Sequence, residues 1–407
     1  MNDTLSNLDF APAQVPGKRP SPVVLYGPAV TPPPDERPGE RLREAARRGW
    51  LLGRTPALLA WGLLRRHAVA VPAVTLVNRL LVIRTDRLGD MALTTAALSD
   101  LRAHFRHARI TLLAPAAPLA LLVAHPAVDR LVELPGKRLP EGLVGRVDMA
   151  VDFTPDETLR GALLASLTRA PWRAGFAAAG REAFFTLRGP RARCDRHIVD
   201  LNRELLAALG VARRDSLPSL HVRPQEKTDA VALCSALGAA APRVVVHPGA
   251  HFPSQRWMAA GYAAVVARLT ERLGAACLVI GGPGEEEDLV KRIRSATPDA
   301  LPIRPLSVRQ MMALLSIADL FIGNNSGPLH VAAALGVPTL SVMGPTDPLR
   351  FMPCGPADYV VRRPIACAPC HRGRCWHHTC LVSIEPEEVA RAAQAILEAL
   401  PARRLAA

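Results

Sequence analysis

From Arg79 onward, short aliphatic and β-branched runs alternate with longer stretches whose apolar positions recur every three or four residues. Parallel βαβ units require this alternation. A strand buried on both faces reads as a continuous apolar run, and the crossover helix between two such strands shows one apolar stripe. Nine runs read as strands: Leu80–Arg84, Ile110–Ala114, Arg130–Leu134, Asp148–Phe153 and Trp172–Phe176, then Val244–His247, Cys277–Gly281, Leu320–Gly323 and Thr339–Met343. Helices are expected at Met91–Phe105, at His197–Leu209 and, closing the chain, at Pro386–Leu400. The pattern lapses into polar residues and prolines across residues 210–242. The expectation is an α/β chain of two facing Rossmann-like domains, residues 79–225 and 226–407. Ligand would sit in the inter-domain cleft, outside the carboxyl ends of the strands.

The first 78 residues break this rhythm. Residues 1–38 are proline-rich and aperiodic, with Pro32-Pro33-Pro34 the densest run, and are expected to be a flexible tail. Residues 41–66 then bring Trp50, Leu51, Leu52, Leu58, Leu59, Trp61, Leu63 and Leu64 among arginines. Such a basic amphipathic segment either lies on an anionic membrane surface or packs on the main body as a helix pair broken at Pro56.

Composition narrows the function classes. The 407 residues suffice for two domains and an appendage. With 50 Lys and Arg against 36 Asp and Glu, the formal charge of +14 attracts polyanions, among them nucleotide phosphates and anionic lipid. No basic run is interleaved with aromatics, so nucleic acid is not an expected partner. No stretch reaches the ~18–20 apolar residues that span a bilayer, and Met1–Phe10 lacks the order of a secretory signal, so a cytoplasmic location is expected. Cys194, Cys234, Cys277 and Cys354 stand singly, as reduced thiols do. Cys367, Cys370, Cys375 and Cys380 form a CxxC-x4-C-x4-C cluster. It reads as a compact reduced turn in preference to a structural metal site, so no metal or cofactor is expected.

Four segments carry candidate chemistry. In the first, the strand ending Leu81-Val82-Ile83 runs through Arg84-Thr85-Asp86-Arg87-Leu88-Gly89 to Asp90, placed directly before the helix. Asp90 is a candidate general base, and equally an N-cap whose carboxylate satisfies first-turn N–H groups. In the second, Val244–His247 leads into Pro248-Gly249-Ala250 and then Arg256-Trp257. Gly249 would admit close backbone approach to a diphosphate, and Arg256 would either pair two phosphate oxygens or stack on Trp257. In the third, Gly281-Gly282-Pro283-Gly284 precedes Glu285, a carboxylate suited to ribose hydroxyls or to the start of a helix. In the fourth, Gly323-Asn324-Asn325-Ser326-Gly327-Pro328-Leu329-His330 aims a helix N-terminus out of the sheet. Asn325, Ser326 and Gly327 would form its cap and His330 would lie in its first turn, making a ready anion site.

In this order the four segments resemble glycosyltransferase family 9, the ADP-heptose:lipopolysaccharide heptosyltransferases. The opening Arg-x-Asp-Arg-hydrophobic-Gly-Asp and Thr-Thr helix lie at Ile83–Thr95. The His-Pro-Gly, basic-Trp, Gly-Gly-Pro and Ser-Gly-Pro-hydrophobic-His elements fall at His247, Arg256-Trp257, Gly281 and Ser326. The resemblance implies a GT-B fold and a metal-independent, inverting transfer from an ADP-heptose-like sugar nucleotide to a lipid A–Kdo type or other glycan acceptor. Asp90 would be the base, with Arg256 and the helix at Ser326–His330 stabilising departing ADP. It also implies work at the inner membrane's cytoplasmic face. Arg256 stands where the family usually has Lys, and Asn325 where it often has Asp. A sugar-nucleotide epimerase of related two-domain fold is the alternative reading.

Overall fold

The computed structural model describes residues 23–32, 46–47, 49–51, 53–58, 60 and 69–399, the last range without 137, 240, 241, 283, 284, 299, 304 and 356. They form two compact units, one from residues 34–216 and the other from residues 217–407 together with the N-terminal strand β1 (Val23–Tyr26).

The N-terminal unit is a five-stranded parallel sheet of β2 (Arg79–Ile83), β3 (Arg109–Ala114), β4 (Arg130–Glu133), β5 (Met149–Asp152) and β6 (Trp172–Gly175), in the order β4-β3-β2-β5-β6. Its longer helices are α1 (Leu88–His104), α2 (Arg160–Leu167) and α3 (Ile198–Ala207). Leu81, Val82 and Ile83 of β2 are fully buried, as a central parallel strand demands. α1 is buried almost all round, which its small residues Ala92, Ala96 and Ala97 permit. Thr94 and Thr95 satisfy their hydroxyls on Asp90 O at 2.7 Å and Ala92 O at 2.6 Å.

The C-terminal unit has seven parallel strands: β1 and then β7 (Arg243–His247), β8 (Ala276–Val279), β9 (Leu301–Pro302), β10 (Leu320–Asn324), β11 (Thr339–Val342) and β12 (Asp358–Arg362). They run β1-β12-β11-β10-β7-β8-β9. The helices that matter here are α4 (Pro224–Ala236), α5 (Ala259–Leu273), α6 (Glu285–Ala296), α7 (Val308–Ser316), α8 (Gly327–Ala334) and α9 (Pro386–Glu398). One core gathers Val244 and Val246 of β7, Val265 and Val266 of α5, Ile322 of β10 and Val389 and Ile396 of α9.

Each of the nine expected strands coincides with an observed strand to within two residues, and β1, β9 and β12 are additional. Two expectations need correction, and a third choice is narrowed. Residues 1–38 are not wholly without fixed structure: Val23–Tyr26 pairs in parallel with Tyr359–Arg362, because a β-branched run hidden among prolines can complete an otherwise open sheet edge. The division between the units falls at Ser216/Leu217 rather than at 225/226. Leu220 N donates to Ala334 O at 2.9 Å and Arg309 pairs with Glu226, tying residues 217–226 to the C-terminal unit. Of the basic segment, the described helical residues pack on the N-terminal unit. Arg47 pairs with Glu157 at 2.5 Å, Arg54 donates to Glu157 O at 2.8 Å and Ala179 O at 3.0 Å, and Leu58 joins that unit's core. Trp50 nevertheless stays 62% exposed, and Trp61 lies outside the described residues. Among the described residues no helix is long and apolar enough to cross a membrane.

Candidate active site

Both sheets reverse direction of growth once. The switch points fall between β2 and β5 in one unit and between β7 and β10 in the other. A crevice opens there outside the strands' carboxyl ends, so these are the positions where doubly wound sheets take ligands. The candidate residues sit in the loops leaving β2, β7 and β10.

In the N-terminal unit the centre of the site is Arg84, which is wholly buried. Its Nη1 donates to Phe153 O at the end of β5, its Nε lies 2.6 Å from Asp86 Oδ1, and its Nη2 lies 3.3 Å from Asp90 Oδ1. One guanidinium thus serves two carboxylates, and the group carries one negative charge in excess when both are ionised. Burial pushes the Asp86 carboxyl up to about 7, opposed by Arg84 and reinforced by the charge on Asp90. Asp90 does not cap the helix, contrary to its expected place directly before it. α1 begins at Leu88 with Arg87 as N-cap, since Met91 N already bonds to Arg87 O at 3.0 Å. Asp90 occupies the first turn, where the helix dipole favours its charge, and 22% of its side chain is open to solvent.

In the C-terminal unit a fully buried asparagine, Asn324, ends β10 and joins the loops. Its Oδ1 accepts from Trp257 N at 2.9 Å, and its Nδ2 donates to Pro248 O at 2.7 Å and Gly249 O at 3.2 Å. That fixes the path from His247 to Trp257 and with it the base of Arg256. The Arg256 Nε donates to Ala250 O at 2.9 Å. Trp257 is buried in the core against Tyr262, with ring centroids 5.0 Å apart.

Ser326 is the N-cap of α8 without using its side chain as a cap; its Oγ lies 3.4 Å from His247 Nδ1. The other ring nitrogen, Nε2, lies 3.4 Å from Glu286 Oε2, which also accepts from Gly282 N at 2.6 Å. Paired with His247, the Glu286 carboxyl is held down at about 2, with Gly282 N and the Arg256 charge acting the same way. A Cβ at Gly249 would stand 2.3 Å from the Glu286 carboxylate, so any larger residue there must displace that side chain from His247.

Gly249, Arg256, Ser326, Gly327 and His330 all belong to the two loops at this switch point, with His330 buried in the first turn of α8. Asn325 points elsewhere: its Nδ2 donates to Phe351 O at 3.2 Å. Glu285 opens α6, but its side chain lies outside the described residues, and the acid observed at the loop is Glu286. Asn324, Glu286 and the ring contacts of His247 are features of the site that the local sequence does not mark as such. Only the end-of-strand position of Asn324, a polar residue closing an apolar run, signalled it.

The cysteine cluster lies against the same loop. Ser254 Oγ donates to Arg372 O at 2.5 Å, and Cys370 N and His371 N donate to Pro345 O at 3.0 Å. All four thiols are free. Burial pushes Cys380 up to about 12, with the neighbouring Cys370, Cys375 and Cys367 adding to it. Among the described residues no group of three or more His, Cys, Asp or Glu is arranged to hold a metal ion.

Comparison with known proteins decides the family. The model of glycosyltransferase family 9 (heptosyltransferase) matches residues 139–380, more than half of the chain. The chain belongs to glycosyltransferase family 9. Lipopolysaccharide heptosyltransferase 2 of Escherichia coli K12 is 26% identical over 350 residues, covering 78% of this chain and 98% of that protein. Lipooligosaccharide heptosyltransferase 2 of Campylobacter jejuni is 28% identical over 162 residues, 38% of this chain. The chain spans about half the length of the two C. jejuni relatives, 50% and 48%. The solved E. coli ADP-heptose lps heptosyltransferase II superposes with a TM-score of 0.67 at 23% identity, covering 79% of this chain and 98% of that one. An E. coli heptosyltransferase solved with ADP gives 0.62 at 19%, over 78% and 99%. The family 9 chain thus has the GT-B fold of these enzymes, two Rossmann-like domains. The family match covers the whole C-terminal site and stops short of the loop carrying Asp90.

Proposed function

We propose that this protein transfers a heptose, or a closely related sugar, from an ADP-sugar to an inner-core lipopolysaccharide or related glycan acceptor, with inversion and without a metal. The observation that carries the reading is the C-terminal switch point, where Asn324 ties the loop that carries Arg256 to the end of β10, three residues before α8 and its His330. A helix end and a guanidinium together suit a diphosphate, and family membership favours transfer over epimerisation.

In the proposed reaction the acceptor hydroxyl oxygen attacks the anomeric carbon from the face opposite the diphosphate. The carbon–oxygen bond to ADP breaks, Arg256 and α8 stabilise the departing charge, and Asp90 takes the hydroxyl proton. Arg84, 3.3 Å from the Asp90 carboxylate, orients it for that proton. The N-terminal unit is then the acceptor side and the C-terminal unit the donor side. The basic segment, with Trp50 exposed, would keep the enzyme on the anionic inner face of the membrane where such acceptors are anchored.

The test is incubation of the purified chain with ADP-heptose and a lipid A–Kdo acceptor in the presence of a chelator, followed by mass spectrometry and assignment of the new anomeric configuration. A heptose-sized mass gain with inverted configuration is expected. Conversion of the sugar nucleotide without acceptor, or loss of activity in chelator, overturns the reading.

A further inference from the structure

His247 is buried to 4% exposure at the end of β7, with Glu286 of α6 on one ring nitrogen and Ser326 of α8 on the other. The two states of the ring act differently on Ser326. A neutral ring that turns its Nε2–H to Glu286 leaves Nδ1 as an acceptor, which takes the Ser326 hydroxyl proton. A protonated ring donates from Nδ1 to Ser326 Oγ, and the hydroxyl hydrogen is then released toward whatever anion faces the α8 N-terminus. Both contacts, at 3.4 Å, are long enough to tighten when a ligand arrives.

We propose that His247 is a positioning residue for the donor diphosphate: gripped by Glu286, it takes up one proton from solvent as the diphosphate binds and turns Ser326 into a phosphate donor. This rests on the reading that the C-terminal unit holds a nucleotide diphosphate. The charged groups around the ring support the direction of proton movement. Glu286 is an anion held ionised, and Arg256, whose charge acts on Glu286, is the cation that an incoming diphosphate neutralises. Gly249 and Gly282 fit the same account, because a Cβ would stand 2.3 Å and 2.9 Å from the Glu286 carboxyl group that holds the ring.

The experiment is calorimetric titration of the full chain with ADP at about pH 8, where its terminal phosphate is ionised, in two buffers of different ionisation enthalpy. The wild type is expected to take up close to one proton per ADP bound. His247→Asn places an amide where Nδ1 stood, and should retain ADP affinity within about threefold while losing proton uptake. His247→Ala should weaken ADP roughly tenfold, the equivalent of one charge-assisted hydrogen bond, with little change in kcat at saturating donor. Glu286→Gln, similar in volume, should also reduce uptake, and thermal melting checks that each variant folds. Uptake that persists in His247→Asn, or wild-type ADP affinity in His247→Ala, overturns the inference. Arg256→Ala separates this from failure of the donor-site reading. If it weakens ADP while the His247 variants do not, only the role of His247 falls; if it too leaves ADP affinity unchanged, the diphosphate is held elsewhere.

Discussion

The two switch points hold the same place in two sheets that share one order over five strands, yet they are built in opposite ways. The loop after β2 is charge on charge: one buried guanidinium, Arg84, between two carboxylates. The loops after β7 and β10 are held by a neutral asparagine, and they present backbone N–H groups, a helix end and a guanidinium. The first arrangement suits placing a carboxylate beside a fixed cation to receive a proton, the second suits holding an anion that must later leave. The contrast extends to the family match, which includes the second site and excludes the first.

The largest effect should come from the first site. Asp90→Asn is expected to cut turnover at least ~100-fold with ADP affinity unchanged, as removal of a base does when binding is retained. Steady-state kinetics beside ADP titration checks it. A collapse of ADP affinity with the fold intact would erase the division of labour between the two loops.

The second site should answer first in stability. Asn324→Ala leaves Trp257 N, Pro248 O and Gly249 O without their buried partner. At ~1–3 kcal/mol for each unsatisfied buried group, a loss of about 3 kcal/mol is a conservative sum, or a fall of ~6–12 °C in Tm for a unit of this size. Asn325→Ala, which loses its bond to Phe351 O, should cost about 1 kcal/mol. Calorimetric melting of both variants decides it, and equal losses would mean that Asn324 is not what holds these loops together.

How much of this was legible before the structure follows the same contrast. The central strands showed themselves as uninterrupted apolar runs, because both their faces are covered. The turn at Gly249 and the start of α8 just before His330 were visible because glycine turns and helix starts leave local signatures. Asn324 and Glu286 were not, since their importance lies in bonds to residues 67 to 76 positions away or to a ring on another strand. β1 was hidden because four strand-forming residues among prolines find their partner more than 330 residues later. Arg84 stood in a recognised charged loop, but its sequence gave no sign that the cation would be buried and the carboxylates arrayed around it.

The smallest effect, and the sharpest probe of the charge cluster, is Asp86→Asn. Its folded pKa, about 7, lies above the ordinary aspartate value, so the fold favours the protonated form. The stability this group contributes is full below about pH 4 and is lost as pH rises through about 7. Asparagine, always neutral, escapes that loss. The Tm of the variant relative to wild type should therefore climb between about pH 4 and pH 7 and level off above about pH 8. The gain at the plateau is at most a few kcal/mol, because Asp86 is partly solvated and already paired with Arg84. Activity should move the other way: with asparagine in place of Asp86, Arg84 loses one of its two carboxylate partners and holds Asp90 less firmly in place, so turnover at pH 7 should fall less than about tenfold. Melting curves across this pH range, paired with turnover at each pH, test both limbs. A stability difference that does not change with pH would show that the two carboxylates do not share one buried guanidinium in the way that sets this loop apart from its counterpart.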